Sequence, residues 1–341
     1  MKRFLCGALL LCLLLSGFAG QGGPEQKQYN ATFLTLFDTV TTVVGRAENA
    51  DIFREKAQQI HDALLEYHQL FDVYNDYEGI PNLKTVNDNA GIAPVKVDSR
   101  IIDLLKDCKA YHEATSGKVN PAMGSVLQLW HIARNDGIND PANAYLPDPE
   151  ALKTAAEHMD FGAVVLDEAA STVYISDPGV QLDVGAVAKG WSVQRVCETA
   201  PKGLLISVGG NVFATGPKDE AGTPWVVGIT DPDGGDSYLH TLYVTGGSVV
   251  TSGDYQRNYA VDGKLYHHII DPETLYPSGY WRSVTIVHQD SGLADALSTA
   301  LFLLDQQEGQ KLLDRFEAKA MWVDQEGNLL YSPGFEDLIR N

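Results

Sequence analysis

The sequence predicts an α+β fold. Helical and strand patterns both run along its 341 residues, but they mix without the steady strand–helix–strand rhythm of a doubly wound sheet. From residue 162 onward the texture becomes short strands separated by turns, interrupted by a few helices. Apolar residues make up 44% of the chain, which supports a real core.

Residues 32–46, TFLTLFDTVTTVVGR, are rich in β-branched and aromatic residues and predict a strand or hairpin. An amphipathic helix follows over about 50–74, with Ile52, Phe53, Ile60, Leu64, Leu65, Tyr67 and Phe71 as its apolar residues. The stretch from Asn75 to Pro94 is rich in Asn, Asp, Gly and Pro and predicts a loop. A helix near 98–116 leads into SGKVNPAMGSVLQLW; residues 140–149 predict another loop and 149–158 a short helix. Strands are then expected at 163–167, 172–176, 204–208, 225–230, 238–244, 248–252, 265–270 and 282–288. Helices are expected at about 186–199, 293–304 and 306–316, and a closing hairpin, 320–324 with 328–331, turns at QEGN.

The N-terminus places Lys2 and Arg3 before an apolar run, Phe4 to Leu15, and then the small residues Gly17 and Ala19. This is the pattern of a secretory signal peptide over residues 1–19, cut after Ala19. The run is shorter than the roughly 20 residues that span a bilayer. Export to the periplasm or another extracytoplasmic space is expected, with residues 20–29 as a linker. Cys6 and Cys12 lack the small residues that lipoprotein processing requires before them, so no lipid anchor is expected. Cys108 and Cys197 lie in helical patterns, and their spacing leaves a bridge open. The net charge of −20 repels nucleic acid and anionic lipid, and phosphates too unless a cation intervenes.

SGLADALSTALFLL, residues 291–304, is an apolar helix with an acid set into it. Asp295, Ser298 and Thr299 share a face, being three and four residues apart. A carboxylate and hydroxyls without His or Cys are hard oxygen ligands, suited to Mg²⁺, which keeps waters and takes phosphate oxygens as further ligands. The alternative is Asp295 as a helix N-cap.

QLDVGAVAKGWSVQRV, residues 181–196, puts Asp183, two glycines and Lys189 at a strand-to-helix transition whose free N–H groups suit phosphate, although plain architecture reads the same way. GLLISVGGNVFATG, 203–216, ends a buried strand in Gly209-Gly210-Asn211, which fits either a flat ligand against the main chain or a tight hairpin. In residues 248–277, Arg257 is one of few cations and suits phosphate, unless it pairs with a nearby acid. His267 and His268 precede IIDP and read either as functional or as surface residues.

Taken in order, LDVGAVAKG, SVGGN, TSGDYQR, HHIIDP and ADALSTAL closely resemble the ApbE family of exported FAD:protein FMN transferases. FDT at 37–39, FDVYND at 71–76 and GKVNPAMGSVLQLW at 117–130 fit as well, so the resemblance covers about 30–335. It implies one α+β unit of two T-fold-like halves, binding FAD with Mg²⁺. It also implies transfer of FMN to a Thr or Ser hydroxyl of an exported or membrane flavoprotein subunit, of NADH:quinone oxidoreductase or Rnf type, with release of AMP. Carried onto this chain, the metal site falls on Asp295 and Thr299, with Ser298 adjacent and the main-chain oxygen of Ala186 opposite. FAD contacts fall at Phe37, Tyr74, Asn120, Pro121, Ala122, Asp183, Lys189 and the backbone near Ile269, with Arg257 in a matching segment. His268 is the candidate general base because imidazole titrates near neutrality, and Asp271 the substitute.

Two departures stand out. Leu275 occupies a position of DPETLYP where the family often has glycine, and Asn120 stands where an Asp is common. Rival readings are an FAD pyrophosphatase, with water as acceptor, and a non-catalytic exported flavin-binding protein, which would not need the Asp295–Thr299 pair. A self-flavinylated carrier would need an acceptor stretch, of which EATSGKV at 113–119 holds only fragments.

Overall fold

The computed structural model describes residues 26–235 and 237–340; the signal peptide and most of the linker expected from the sequence lie outside the described residues. The chain opens with a hairpin of β1 (Lys27–Leu36) and β2 (Thr39–Ala47), followed by the long helix α1 (Ala50–Phe71). A long excursion carries α2 (Leu83–Asp88), β3 (Val95–Lys96), α3 (Ser99–Ala114), α4 (Gly124–Asn139), α5 (Pro149–Ala156), β4 (Val164–Asp167) and β5 (Thr172–Ile175). It returns in α6 (Ala188–Thr199) and the hairpin of β6 (Leu204–Val208) and β7 (Asn211–Ala214). Next come β8 (Trp225–Thr230), β9 (Tyr238–Val244), β10 (Gly247–Gly253), β11 (Asn258–Val261), β12 (Lys264–His267) and β13 (Trp281–His288). Helices α7 (Ser291–Phe302) and α8 (Gln306–Leu313) lead to the closing hairpin of β14 (Lys319–Asp324) and β15 (Leu329–Tyr331).

Eight of these strands form one antiparallel sheet in the order β1-β2-β6-β7-β10-β13-β14-β15. The connectivity repeats. Hairpin β1–β2, helices α1 and α6, and hairpin β6–β7 build one half; β10 with β13, helices α7 and α8, and hairpin β14–β15 build the other. The halves meet where Val249 faces Val212 and Val250 faces Asn211. This is the layout expected of two T-fold-like halves.

Both faces of the sheet are covered, so its central strands are apolar on both sides. On β14, Ala320 and Trp322 pack into the helix-side core with α7, while Met321 and Val323 pack with Trp225, Val227 and Leu242 of the β8–β9 hairpin on the far side. Successive strand residues point to opposite faces, so this split follows directly from the strand period of two. Helix α7 is buried along nearly its whole length, which explains why hydrocarbon surrounds its few polar residues.

Several elements differ from the sequence expectation. The 75–94 loop contains α2, held by a capping box between Asn82 and Thr85 that needs no apolar periodicity. Helix α4 begins inside the GKVNPAMGSVLQLW segment; its buried positions Val126, Trp130, Ala133 and Gly137 follow a helical spacing. Gly209 and Gly210, both at positive φ, turn a hairpin into β7, so the 203–216 stretch is two strands. The expected 265–270 strand is shorter and pairs with β11 around Asp262-Gly263, a favoured hairpin turn. Cys108 and Cys197 are both free and buried, in two different core clusters.

Candidate active site

Asp295 lies within α7 and is 2% exposed. The cap of this helix is Asp290, whose side chain accepts the Leu293 N–H, so the N-cap alternative for Asp295 does not apply. Asp295 Oδ2 accepts the Gly190 N–H at 2.8 Å and lies 3.7 Å from Lys189 Nζ. A carboxylate with so few partners is costly to bury unless further cationic partners meet it. Its remaining oxygen capacity faces a cavity of about 570 Å³, into whose wall Thr299, one turn further on, also falls.

The cavity is walled by the β1–β2 turn, the C-terminal end of α1, the 118–123 segment, α4, the 183–189 segment, the β6–β7 turn, and residues 251–257 and 266–270. Much of that wall is positioned from behind by main-chain contacts. Asn87 of α2 grips Leu182 at two points, donating to its carbonyl at 2.9 Å and accepting its N–H at 2.7 Å. Gly124 N–H bonds Gln181 O at 2.9 Å, an approach so close that a Cβ at Gly124 would stand 2.5 Å from that oxygen. The unexpected helices α2 and α4 therefore fix the loop that leads into α6.

Of the residues singled out from sequence, Phe37, Tyr74, Asn120, Pro121, Asp183, Ala186, Lys189, Arg257, His268, Ile269, Asp295 and Thr299 all line this cavity. Three do not. Ala122 is fully buried behind the wall, its N–H donated to Asn120 Oδ1. Ser298 is also fully buried; its hydroxyl bonds Ser252 Oγ at 2.7 Å and the Asp295 carbonyl at 2.9 Å, which ties α7 to β10. Asp271 is held in an ion pair with Lys118 Nζ, at 3.2 Å from Oδ1 and 3.3 Å from Oδ2, and accepts the Glu273 N–H. It is committed to that turn, not aimed at the cavity.

The two departures from the family pattern have structural answers. Leu275 adopts φ 64, the left-handed region where glycine costs least. Its side chain packs beside Trp130, whose indole N–H donates to the Leu275 carbonyl at 2.9 Å. Asn120 gives its amide N–H to Met159 O at 2.9 Å, a bond that an Asp could not donate.

Four cations, Lys118, Arg134, Lys189 and Arg257, line the cavity of this strongly acidic protein. Among the described residues, neither Arg134 nor Arg257 has a carboxylate within salt-bridge distance; Arg257 only donates to the Phe37 carbonyl at 3.3 Å and that of Asp38 at 3.5 Å. His268 lies half-buried among them. Burial first, then the charges of Arg257, His267, Lys189 and Arg134, push its pKa down to about 3, so it is neutral at neutral pH. Its Nδ1 is buried with no hydrogen-bond partner, and so is the Asn211 side-chain amide nitrogen, also in the wall. Both are orphaned polar atoms of residues that line the wall, which is uncommon in a folded protein and marks this part of the wall as more than packing.

Several wall residues escaped the sequence reading. His131 and Arg134 come from α4; the His131 ring stacks on Tyr74 with centroids 4.8 Å apart. The helical spacing of Val126, Trp130 and Ala133 is the signal that places them on one element. His68 carries no local signal, because it reads as a helix interior.

The donor set suits a hard cation. Asp295 supplies a carboxylate, Thr299 a hydroxyl and Ala186 a main-chain carbonyl on facing segments of the wall. Among the described residues no cluster of three or more His, Cys, Asp or Glu is arranged to hold a metal by itself. Such a sparse, all-oxygen set fits Mg²⁺ completed by substrate oxygens and water.

A model of the ApbE family matches residues 37–322. A Treponema pallidum protein named FAD:protein FMN transferase is 33% identical, over 97% of this chain and 94% of its own length. A Klebsiella pneumoniae protein of the same name is 31% identical over 81% of this chain and 84% of its own. Among solved structures, the ApbE protein of Thermotoga maritima superposes with a TM-score of 0.80 at 30% identity, covering 93% of this chain and all of that one. The flavin transferase ApbE of Vibrio cholerae shares the fold, with a TM-score of 0.74 at 19% identity over 92% of this chain and all of its own.

Proposed function

The chain belongs to the ApbE family, and from that premise we propose how its cavity works. It is an FAD:protein FMN transferase, an α+β enzyme that takes FAD as substrate. We assign the acceptor as a Thr or Ser hydroxyl of an exported or membrane flavoprotein subunit, and place the enzyme outside the cytoplasm on its N-terminal pattern. Among the described residues no helix is long and apolar enough to cross a membrane.

In the reaction, the acceptor oxygen attacks the phosphorus of the FMN half. The new phosphodiester bond forms as the bond from that phosphorus to the AMP oxygen breaks, the hydroxyl loses its proton and AMP departs. Such transfers are driven by positioning and by neutralising charge on the phosphates. Bound at Asp295, Thr299 and the Ala186 carbonyl, Mg²⁺ would neutralise phosphate charge. Lys189 and Arg257 face the same space and suit the departing AMP phosphate. Phe37 and Tyr74 offer aromatic faces to the isoalloxazine or adenine ring. His268, a neutral imidazole in the wall, would take the hydroxyl proton once the anionic substrate offsets the cations around it.

The observation that carries this reading is the buried Asp295 carboxylate in a cavity wall, met among the described residues by one N–H and one lysine. The test is incubation of the mature protein with FAD and an acceptor peptide, with and without Mg²⁺, followed by mass spectrometry of the peptide and chromatography of AMP and FMN. A metal-dependent gain of one FMN on the peptide supports the assignment. AMP and free FMN beside an unmodified peptide point to water as acceptor, and FAD left intact in every condition overturns the mechanism.

A further inference from the structure

Two aromatic residues of the cavity wall stand on separate loops. Phe37 is in the β1–β2 turn, at φ 52 with Asp38 also at φ 52, and Tyr74 is in the loop after α1. His68, in the last turn of α1, lies between them. Its Nδ1 accepts the Phe37 N–H at 3.3 Å, and the two rings meet edge-on with centroids 5.5 Å apart. Its Nε2 is 3.2 Å from the Tyr77 hydroxyl, which donates to Asp72 Oδ2 at 2.8 Å. Asp72 Oδ1 in turn accepts the Tyr74 N–H at 2.7 Å.

Only one placement of protons satisfies every member. An amide N–H can only donate, so His68 Nδ1 is bare and Nε2 carries the ring proton. Nε2–H then donates to the Tyr77 oxygen, which leaves the Tyr77 proton for the carboxylate. The chain is directional, with a neutral imidazole in the middle. Left-handed backbone at two successive non-glycine residues persists only where the surroundings hold it, and His68 holds the Phe37 amide.

We propose that His68 is a positioning residue for the aromatic part of the bound dinucleotide, setting Phe37 and Tyr74 in register through this chain of hydrogen bonds. The proposal rests on FAD binding in this cavity. His68 bonds Phe37 and Tyr77 and has no bond to Asp295, Thr299 or Lys189, so its loss weakens binding of substrate and transition state alike. KM rises and kcat stays.

The experiment is an FAD titration by flavin fluorescence, with KM, kcat and Tm, on His68→Ala, His68→Asn and Tyr77→Phe. His68→Ala and Tyr77→Phe are expected to raise Kd and KM about tenfold, the scale of a lost hydrogen-bond link, with kcat within about twofold. In His68→Asn the Oδ1 stands near the position of Nδ1 and keeps the Phe37 bond, so its Kd falls between wild type and His68→Ala. Tyr77→Phe keeps the test alive should His68→Ala not fold. Unchanged Kd and KM in the folded variants overturn the proposal, as does a kcat that falls with Tm while KM holds. A wild-type protein that does not bind FAD removes the functional reading and this inference with it, a result distinct from tight wild-type binding with insensitive variants.

Discussion

Gly190 and Asp295 are 105 residues apart in sequence and bonded at 2.8 Å, N–H to carboxylate. The bond is possible because α6 and α7 pack almost backbone to backbone. A Cβ at Gly190 would stand 2.2 Å from the Ser291 carbonyl oxygen and 2.5 Å from Asp295 Cβ. The same glycine thus sets the helix spacing and supplies the carboxylate's one main-chain donor.

Gly190→Ala is therefore expected to push the two helices apart. Overpacking of this kind costs roughly 1–3 kcal/mol. Thermal unfolding should show that loss, and FMN transfer should fall further than stability alone explains, because Asp295 moves with α7. A variant with wild-type Tm and wild-type rate would show that the helix contact is softer than its geometry implies.

Asp295→Asn separates charge from packing. The amide oxygen can still accept the Gly190 N–H, so the fold should hold, and removing a buried charge relieves its desolvation. The Mg²⁺ dependence of the transfer should disappear, with a rate loss of about 100-fold or more, the scale of losing one electrostatic contact at a developing charge. Peptide mass spectrometry across a Mg²⁺ titration measures both. A rate close to wild type at ordinary Mg²⁺ would remove Asp295 from the metal site.

Much of this was legible in the sequence. The ADALSTAL helix, the VAKG start of α6 and the HHIIDP turn come together because each carries a residue type that is expensive or unusual in its local context. Ser298 and Asp271 share those contexts, yet the fold uses them for the α7–β10 contact and for the Lys118 pair. Choice among neighbouring hydroxyls or acids depends on side-chain direction, which residue type alone does not encode. Arg134 and His131 were missed because α4 starts in a segment of Gly, Asn and Pro without a side-chain cap. His68 was missed because its function lies in two partners on other loops.

The cysteines make a simple check on the fold. Cys108 and Cys197 are free and buried, and burial raises the pKa of both thiols far above the ordinary range. The thiolate is the reactive form, so neither should react with a disulfide reagent in the native protein. Both should react after unfolding in guanidinium. Native reactivity at either position would mean that its helix opens readily.

Acid should weaken the protein through His268. Its folded pKa, near 3, lies below the ordinary 6.5, so between those values the unfolded chain binds the extra proton. The cost is absent above about pH 6.5 and grows as pH falls toward 3. Half-buried His68, His131 and His267, all shifted the same way, add to the slope. His268→Gln removes one share, so denaturant unfolding between pH 6.5 and 4 should lose about 3 kcal/mol less stability in the variant than in wild type. Bound FAD works in the opposite direction. Its phosphates offset Arg257, Lys189 and Arg134, which raises the His268 pKa and makes binding near pH 5 take up protons. Calorimetry in two buffers of different ionisation enthalpy detects that uptake, and the variant should lack His268's part of it. Identical pH profiles for wild type and His268→Gln would show that the imidazole is not the group whose charge the cavity opposes.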